Sequence, residues 1–261
     1  MMVEIIVGFF LLGTIMGSFI DCAVSRLAKK EDIVFKRSYC PHCHHSLAWF
    51  DLVPIISFIV LKGRCRYCHR RISWEHPLVE LGTGFLFILI FLLGGNTILT
   101  AFFILVAIPL AIVFLFDLKY SLIPSRLIYP TLVFTLLSRL GLDIYQSQGF
   151  YFWTSHIFSG VLGLILMSGF LGCLYVLTKG RGMGLGDVEL GMLLGAILGW
   201  PLSLVGLFLS FLIGAILGLI LIVLKRKGWK SEVPFGPFLI LGSTMALIGG
   251  NQFIHWYLSF L

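Results

Sequence analysis

The sequence predicts an all-α polytopic membrane protein of about eight transmembrane helices with one small cytoplasmic loop domain. Three observations predict it. Of 261 residues, 59% are hydrophobic and 12% charged, against about 45–50% and about 25% in soluble domains, and the mean hydropathy is +1.02. The apolar residues fall into long charge-free runs. Almost every basic residue lies in loops that a single topology puts on one side. These features exclude a secreted disulfide scaffold, a disordered chain and a free cytosolic enzyme. They leave room for an enzyme that works in the membrane.

The elements can be read from the runs, since an apolar helix needs roughly 20 residues to cross a bilayer. Residues 5–20 carry no charge and close on Asp21 and Arg26. No small-residue cleavage site comes after them, so this is a retained helix and not a signal peptide. Residues 81–116 are uncharged and too many for one helix, and the turn-like Gly94-Gly95-Asn96 splits them in two. Residues 127–145 form a fourth span with Arg139 near its far end, and residues 152–178 a fifth. Residues 190–224 are again too long and divide at Gly199-Trp200-Pro201, and residues 233–261 supply the last span. Gly191, Gly195 and Gly199, and Gly214 with Gly218, make small faces that let helices approach closely in lipid.

With the N-terminus outside, the inner loops are 24–78, 117–126, 179–186 and 225–232, and they hold 18 of the 19 Lys and Arg, all but Arg139. Loop charge sets orientation, and a miscounted span would scatter the bases over both sides. The net charge of +7 is therefore a topology signal. No basic surface with interleaved stacking aromatics marks a nucleic-acid partner. The chain accordingly divides into a first helix (1–25), a cytoplasmic loop (26–78) and a seven-helix core (79–261).

The loop carries Cys40-Pro-His-Cys43 and Cys65-Arg-Tyr-Cys68, separated by 21 residues. Two such hairpins place four thiolates around a tetrahedral Zn2+, so Cys40, Cys43, Cys65 and Cys68 are the predicted metal ligands. Four sulfurs close the coordination sphere, which makes the zinc structural: it folds a loop too small for its own core. His42, His44, His45 and His69 crowd the same hairpins. The alternatives are free structural thiols or disulfides, the latter disfavoured on the reducing side. Cys22 and Cys173 read as small buried hydrophobes.

Only 12 acids occur, and an ionisable residue at a span's edge is a functional candidate. The topology puts Asp117, at the inner end of the third span, and Asp187, at the inner start of the sixth, at one depth. Asp117 precedes Ile123-Pro124, so its helix ends soon afterwards. Asp187 comes after Gly182-Met183-Gly184-Leu185-Gly186, whose glycines allow a close-packed turn that a peptide backbone can approach. Two carboxylates sharing one proton can activate water and protonate a developing oxyanion. The bland alternative is that each aspartate caps a helix or pairs with Lys119 or Arg181. Asp21, Glu80 and Glu189 are rival members of the pair.

Together these residues resemble the bacterial type IV prepilin peptidases, polytopic aspartyl proteases with a GxGD motif. The resemblance spans nearly the whole chain: Gly17-Ser18-Phe19, both cysteine pairs, LAWFDLVPIISFIVLKGRCRYCHRRIS, Pro77-Leu78-Val79-Glu80, Asp117 through Pro124, Gly182 through Asp187, and PFGPFL at 234–239. It implies a membrane endopeptidase of the bacterial inner membrane that cuts prepilins or pseudopilins after a glycine on the cytoplasmic side. Asp117 and Asp187 are then catalytic, with Gly184 and Gly186 in the active-site loop. Members with the cysteine loop usually also methylate the new N-terminus with S-adenosylmethionine, which makes 26–78 a methyltransferase-associated region and Asp51 and Glu80 candidates for the donor site.

Three residues depart from the family pattern: Ser125 where an acid is common, Glu189 where a lysine is common, and His76 where a tyrosine is usual. An acid at 189 implies an activity optimum at higher pH, provided that it lies close to Asp187. The loop's ten bases and four acids should repel a basic leader and attract anionic membrane lipids. Leader recognition then falls to acids at the membrane edge. A transporter or channel would place its acids nearer the midplane, and an assembly protein would use the zinc loop only for docking.

Overall fold

The structure, a computed structural model, describes residues 2–33, 37–146, 155–224 and 233–260. Among them lie eight long helices, α1 (Met2–Lys29), α3 (Glu75–Gly94), α4 (Thr97–Tyr120), α5 (Ser125–Gln146), α6 (His156–Leu177), α7 (Leu185–Leu198), α8 (Leu202–Val223) and α9 (Gly236–Leu258). The loop adds a 3-10 turn (Trp49–Leu52) and the short α2 (Ile56–Val60). The expected breaks fall at Gly94–Asn96 and Gly199–Pro201. The basic loop 225–232, Lys36 and the first residues of the expected fifth span lie outside the described residues.

Seven of the eight long helices are long and apolar enough to cross a membrane. The exception is α7. Its 14 residues rise about 21 Å, short of the roughly 30 Å hydrocarbon layer. Nine of them are buried, the signature of a helix enclosed by others.

The chain forms two compact units, Met1–Ile112 and Val113–Leu261. In the first, α1 lies on α3 through small residues. A Cβ at Gly13 would meet the Gly84 Cα at 2.8 Å, and one at Gly17 would collide with the Thr83 hydroxyl. Phe9 stacks on Phe91 and Phe10 meets Phe85 edge-on, and Ile20, Val24 and Phe87 are fully enclosed. Buried Arg26 ends α1 by donating to the Ile33 carbonyl at 2.6 Å, which ties the loop to the helix.

In the second unit α7 is packed by α6, α5 and α9. The expected glycine face is real: a Cβ at Gly163 would meet Gly199 Cα at 2.8 Å and the Gly195 carbonyl closer still. On α8, Gly214 faces Phe238 at 3.3 Å, but Gly218 meets nothing among the described residues. Arg139 is half-buried against the ends of two helices, donating to the His156 carbonyl at 2.8 Å and the Ile197 carbonyl at 2.7 Å. A cation at the C-terminus of α7 complements its dipole, which accounts for the one base outside the expected inner loops. Asp143 takes the backbone N–H groups of His156 and Ile157 and so caps α6. Cys173, expected to be buried, lies exposed on α6.

Candidate functional site

Two constellations gather the rare polar residues, one in each unit. The first centres on the cysteine hairpins. Each hairpin is built alike: Cys40 N–H donates to the His45 carbonyl and Cys65 N–H to the Arg70 carbonyl, while His44 and His69 donate back to Cys40 and Cys65. His44 and His69 both take left-handed backbone, with φ of 56° and 54°, and the bridges Tyr39–Ser46 and Arg64–Arg71 close the two turns. The hairpins thus present four sulfurs within 4.8 Å of one another. Tetrahedral coordination with bonds of about 2.3 Å spaces sulfurs about 3.8 Å apart, and Cys40 Sγ and Cys68 Sγ are 3.9 Å apart. Burial pulls the Cys40 thiol up, but the backbone N–H groups of Cys43 and His42 outweigh it and hold it down to about 7. A thiol so held yields its proton readily to a metal.

Against these hairpins lies a cavity of about 300 Å3, walled by α1, the start of α3 and the loop. It gathers Asp21, Asp51, Glu80 and His76. Glu80 is buried and its Oε2 accepts the Ile55 N–H at 2.8 Å. Ile55 has φ of 62°, a costly conformation for a β-branched residue that the surrounding contacts hold in place. Asp51 accepts from the Arg66 guanidinium at 2.8 Å and from the Ala48 N–H. The Asp21 carboxylate, also buried, pairs with His76 Nδ1.

The second constellation holds Asp117 and Asp187. Asp117 sits in the last turn of α4, which closes through Ser121 in left-handed backbone at φ 52°. Ile123-Pro124 then starts α5, as the sequence suggested. Asp187 is the third residue of α7: Gly184 N–H donates to its Oδ2 at 3.1 Å, and its own N–H returns to the Gly184 carbonyl. This is the helix-capping role anticipated for it. Asp117 Oδ2 accepts the Gly236 N–H at the start of α9, 3.0 Å away. Both residues are almost enclosed, with Asp117 4% and Asp187 9% exposed, and Asp187 lies within the electrostatic field of Asp117. Neither Oδ1 has a hydrogen-bond partner among the described residues, so each carboxylate keeps one oxygen for a water or a substrate.

Ile123 packs between the two glycine turns. A Cβ on Gly186 would meet its Cβ at 2.9 Å, and one on Gly236 its Cδ1 at 3.3 Å. A Cβ on Gly236 would also stand 2.6 Å from Asp117 Oδ2. Gly236→Ala should therefore displace the Asp117 carboxylate, a shift on the scale that costs about 100-fold wherever a side chain does chemistry. Thermal unfolding close to that of the parent would separate this effect from loss of fold.

Asp21 and Glu80 belong to the cavity of the first unit. Glu189 is buried two residues beyond Asp187 but turns to α5, where the Tyr129 hydroxyl donates to its Oε1 at 3.1 Å. The condition for a shifted pH optimum, closeness to Asp187, is thus replaced by an interhelical hydrogen bond. Sequence reasoning did not find the Gly236 N–H or the Asp21–His76 pair. Only PFGPFL, just before the last helix, pointed towards the first.

Known proteins resemble the chain across both constellations. Residues 11–93 match the model of the Bacterial Peptidase A24 N-terminal domain, and residues 103–219 that of the Type IV leader peptidase family. A protein of Aeromonas hydrophila named prepilin leader peptidase/N-methyltransferase is 33% identical over 87% of this chain and 77% of its own length. Proteins of the same name from Bacillus subtilis and Pseudomonas aeruginosa are 32% and 30% identical. The matches cover 95% and 96% of this chain, and 96% and 92% of theirs. No solved structure matches the chain.

Proposed function

We infer what this chain does from the fact that it belongs to the type IV leader peptidase family: it is a multi-pass membrane enzyme that removes the leader of prepilins and N-methylates the product. The two activities fall to different residues, one set in each unit.

Asp117 and Asp187 carry the proteolysis. The observation that supports this is their arrangement: two nearly enclosed carboxylates, Asp187 in the field of Asp117, each anchored by one glycine N–H through Oδ2. Such a pair shares one proton, because two like charges that close do not both persist in a low dielectric. The ionised partner takes a proton from water as the water attacks the scissile carbonyl. The protonated partner donates to the developing oxyanion, and the proton later passes to the leaving amine. The glycines at 186 and 236 let Ile123 and the Asp117 carboxylate approach both turns closely, which fixes where the carboxylates stand. On the loop-charge topology this reaction takes place at the cytoplasmic face of the inner membrane, on prepilins or pseudopilins cut after a glycine. Incubating the purified protein with a prepilin should yield a product that begins at the residue after that glycine. An unchanged substrate would refute the assignment.

Cys40, Cys43, Cys65 and Cys68 suit a structural Zn2+, on sulfur spacing and on the all-thiolate donor set. The metal-folded loop bears ten bases and exposes Trp49, Ile56, Ile59, Val60 and Trp74, a combination that seats it among lipid headgroups.

The cavity of the first unit is the candidate seat of the methyl donor. Its volume lies at the lower end of ligand pockets, which begin at about 300 Å3. Its acids suit a ligand that carries a sulfonium, an ammonium and ribose hydroxyls. S-Adenosylmethionine supplies an electrophilic methyl group when bound. Asp51 and Glu80, both expected at such a site, line the cavity together. Ser25, on its α1 wall, offers a test: Ser25→Phe should fill the space and weaken S-adenosylhomocysteine binding more than about 10-fold in titration calorimetry, an energy of about 1.4 kcal/mol. Unchanged affinity would place the donor elsewhere.

A further inference from the structure

Methylating an N-terminal amine requires an unprotonated nitrogen, and we propose that His76, held by Asp21 in the cavity of the first unit, accepts the proton that the new N-terminus must lose. The inference rests on the assignment of that cavity to methyl transfer, made above.

Asp21 and His76 come from different helices, α1 and α3, and meet where both line the cavity. The Asp21 side chain is 9% exposed and that of His76 is 46% exposed. One partner is therefore fixed in the protein and the other opens towards the ligand space. With Nδ1–H donated to Asp21 Oδ2, the neutral ring carries its lone pair on Nε2. A buried carboxylate behind an imidazole fixes the tautomer and stabilises the imidazolium that forms when the ring takes a proton. The remaining ionisable groups lining the same cavity are the charged Arg26 and Lys29 of α1, Glu80 of α3, and Glu31, Asp51 and Arg66 of the loop, with the thiols of Cys22, Cys40 and Cys65 and the Tyr39 phenol. Glu80 and Asp51 favour a cationic guest. They draw in the ammonium form of the new N-terminus and at the same time disfavour its deprotonation, so the site needs an acceptor of its own.

The ammonium gives one proton to His76 Nε2. The freed amine lone pair then forms the N–C bond to the methyl carbon while the C–S bond of the sulfonium breaks. The bonding electrons stay on sulfur, which leaves as a neutral thioether, and the imidazolium returns its proton to solvent from its exposed side. At pH 7 only about one free α-amine in ten is unprotonated, since its ordinary pKa is about 7.7–8.0. By pH 9 nearly all are, and the acceptor becomes dispensable.

His76→Gln keeps a donor for Asp21 but offers no basic nitrogen. In the full-length protein, methyl transfer to a synthetic peptide with a free N-terminal phenylalanine should fall up to about 10-fold at pH 7 and recover most of the parent rate at pH 9. Calorimetry should still show S-adenosylhomocysteine bound, and prepilin cleavage should be unchanged. Parent-like methylation by His76→Gln at pH 7 would overturn the proposal, and so would a deficit that persists in full at pH 9, the mark of a structural role. The cavity assignment fails separately: the analogue would then not bind the parent, or would bind Ser25→Phe equally well.

Discussion

Asp117→Asn and Asp187→Asn should each reduce prepilin cleavage by more than about 1000-fold, because each removes one proton carrier from a reaction that needs both. Asparagine is the informative replacement. Its side-chain oxygen still accepts the Gly184 N–H at 187 or the Gly236 N–H at 117, and asparagine caps helices about as well as aspartate. The start of α7 and the packing of α9 are therefore retained, and the loss reports chemistry. Alanine would confound the result by also removing the cap, which costs about 1 kcal/mol. Thermal unfolding and metal content should be unaltered, since both aspartates lie in the unit Val113–Leu261 and the cysteines in the other. Methylation of a peptide that already bears a free N-terminal phenylalanine should survive in both variants.

The second large effect concerns the metal. Cys40→Ser with Cys65→Ser removes the two most buried sulfurs, each 5% exposed. Binding energies of about 10–16 kcal/mol fold comparable zinc modules, far more than a loop of this size gains from its own apolar contacts. Cys40, Cys65, Leu47, Leu61 and Ile72 also wall the cavity beneath, so losing the metal dismantles that wall. Bound metal should fall from one per chain to near zero, the loop should become sensitive to protease, and methyl transfer should be lost. Cleavage should fall far less. A double variant that methylates normally would show that the hairpins stand without the ion.

The architecture was legible where local chemistry decides it. Gly94-Gly95-Asn96 and Gly199-Trp200-Pro201 interrupt helices whatever surrounds them, and the paired CxxC spacing encodes two like turns. The depth of Asp117 and Asp187 came from counting spans against basic loops. The size of α7 was not legible, because an apolar run reads alike whether protein or lipid encloses it. Cys173 was misplaced for the same reason: a small apolar residue suits either face of α6. The partners of the acids were hidden by sequence distance. His76 meets Asp21 across 55 positions, and Gly236 meets Asp117 across 119. Glu189 shows the same limit. Two residues from Asp187 on a helix, it was expected to point elsewhere, but its partner Tyr129, 60 positions away, was not foreseen.

On the proposed assignment, cleavage by this chain rests on the aspartate pair. The most direct measurement is mass spectrometry of a prepilin incubated with S-adenosylmethionine and, in parallel, with the parent protein, Asp117→Asn and Asp187→Asn. The parent should return a mature chain that lacks its leader and is one methyl group heavier, and both variants should return the intact prepilin. Mature product from either variant, at a rate near that of the parent, would contradict the assignment of the two carboxylates.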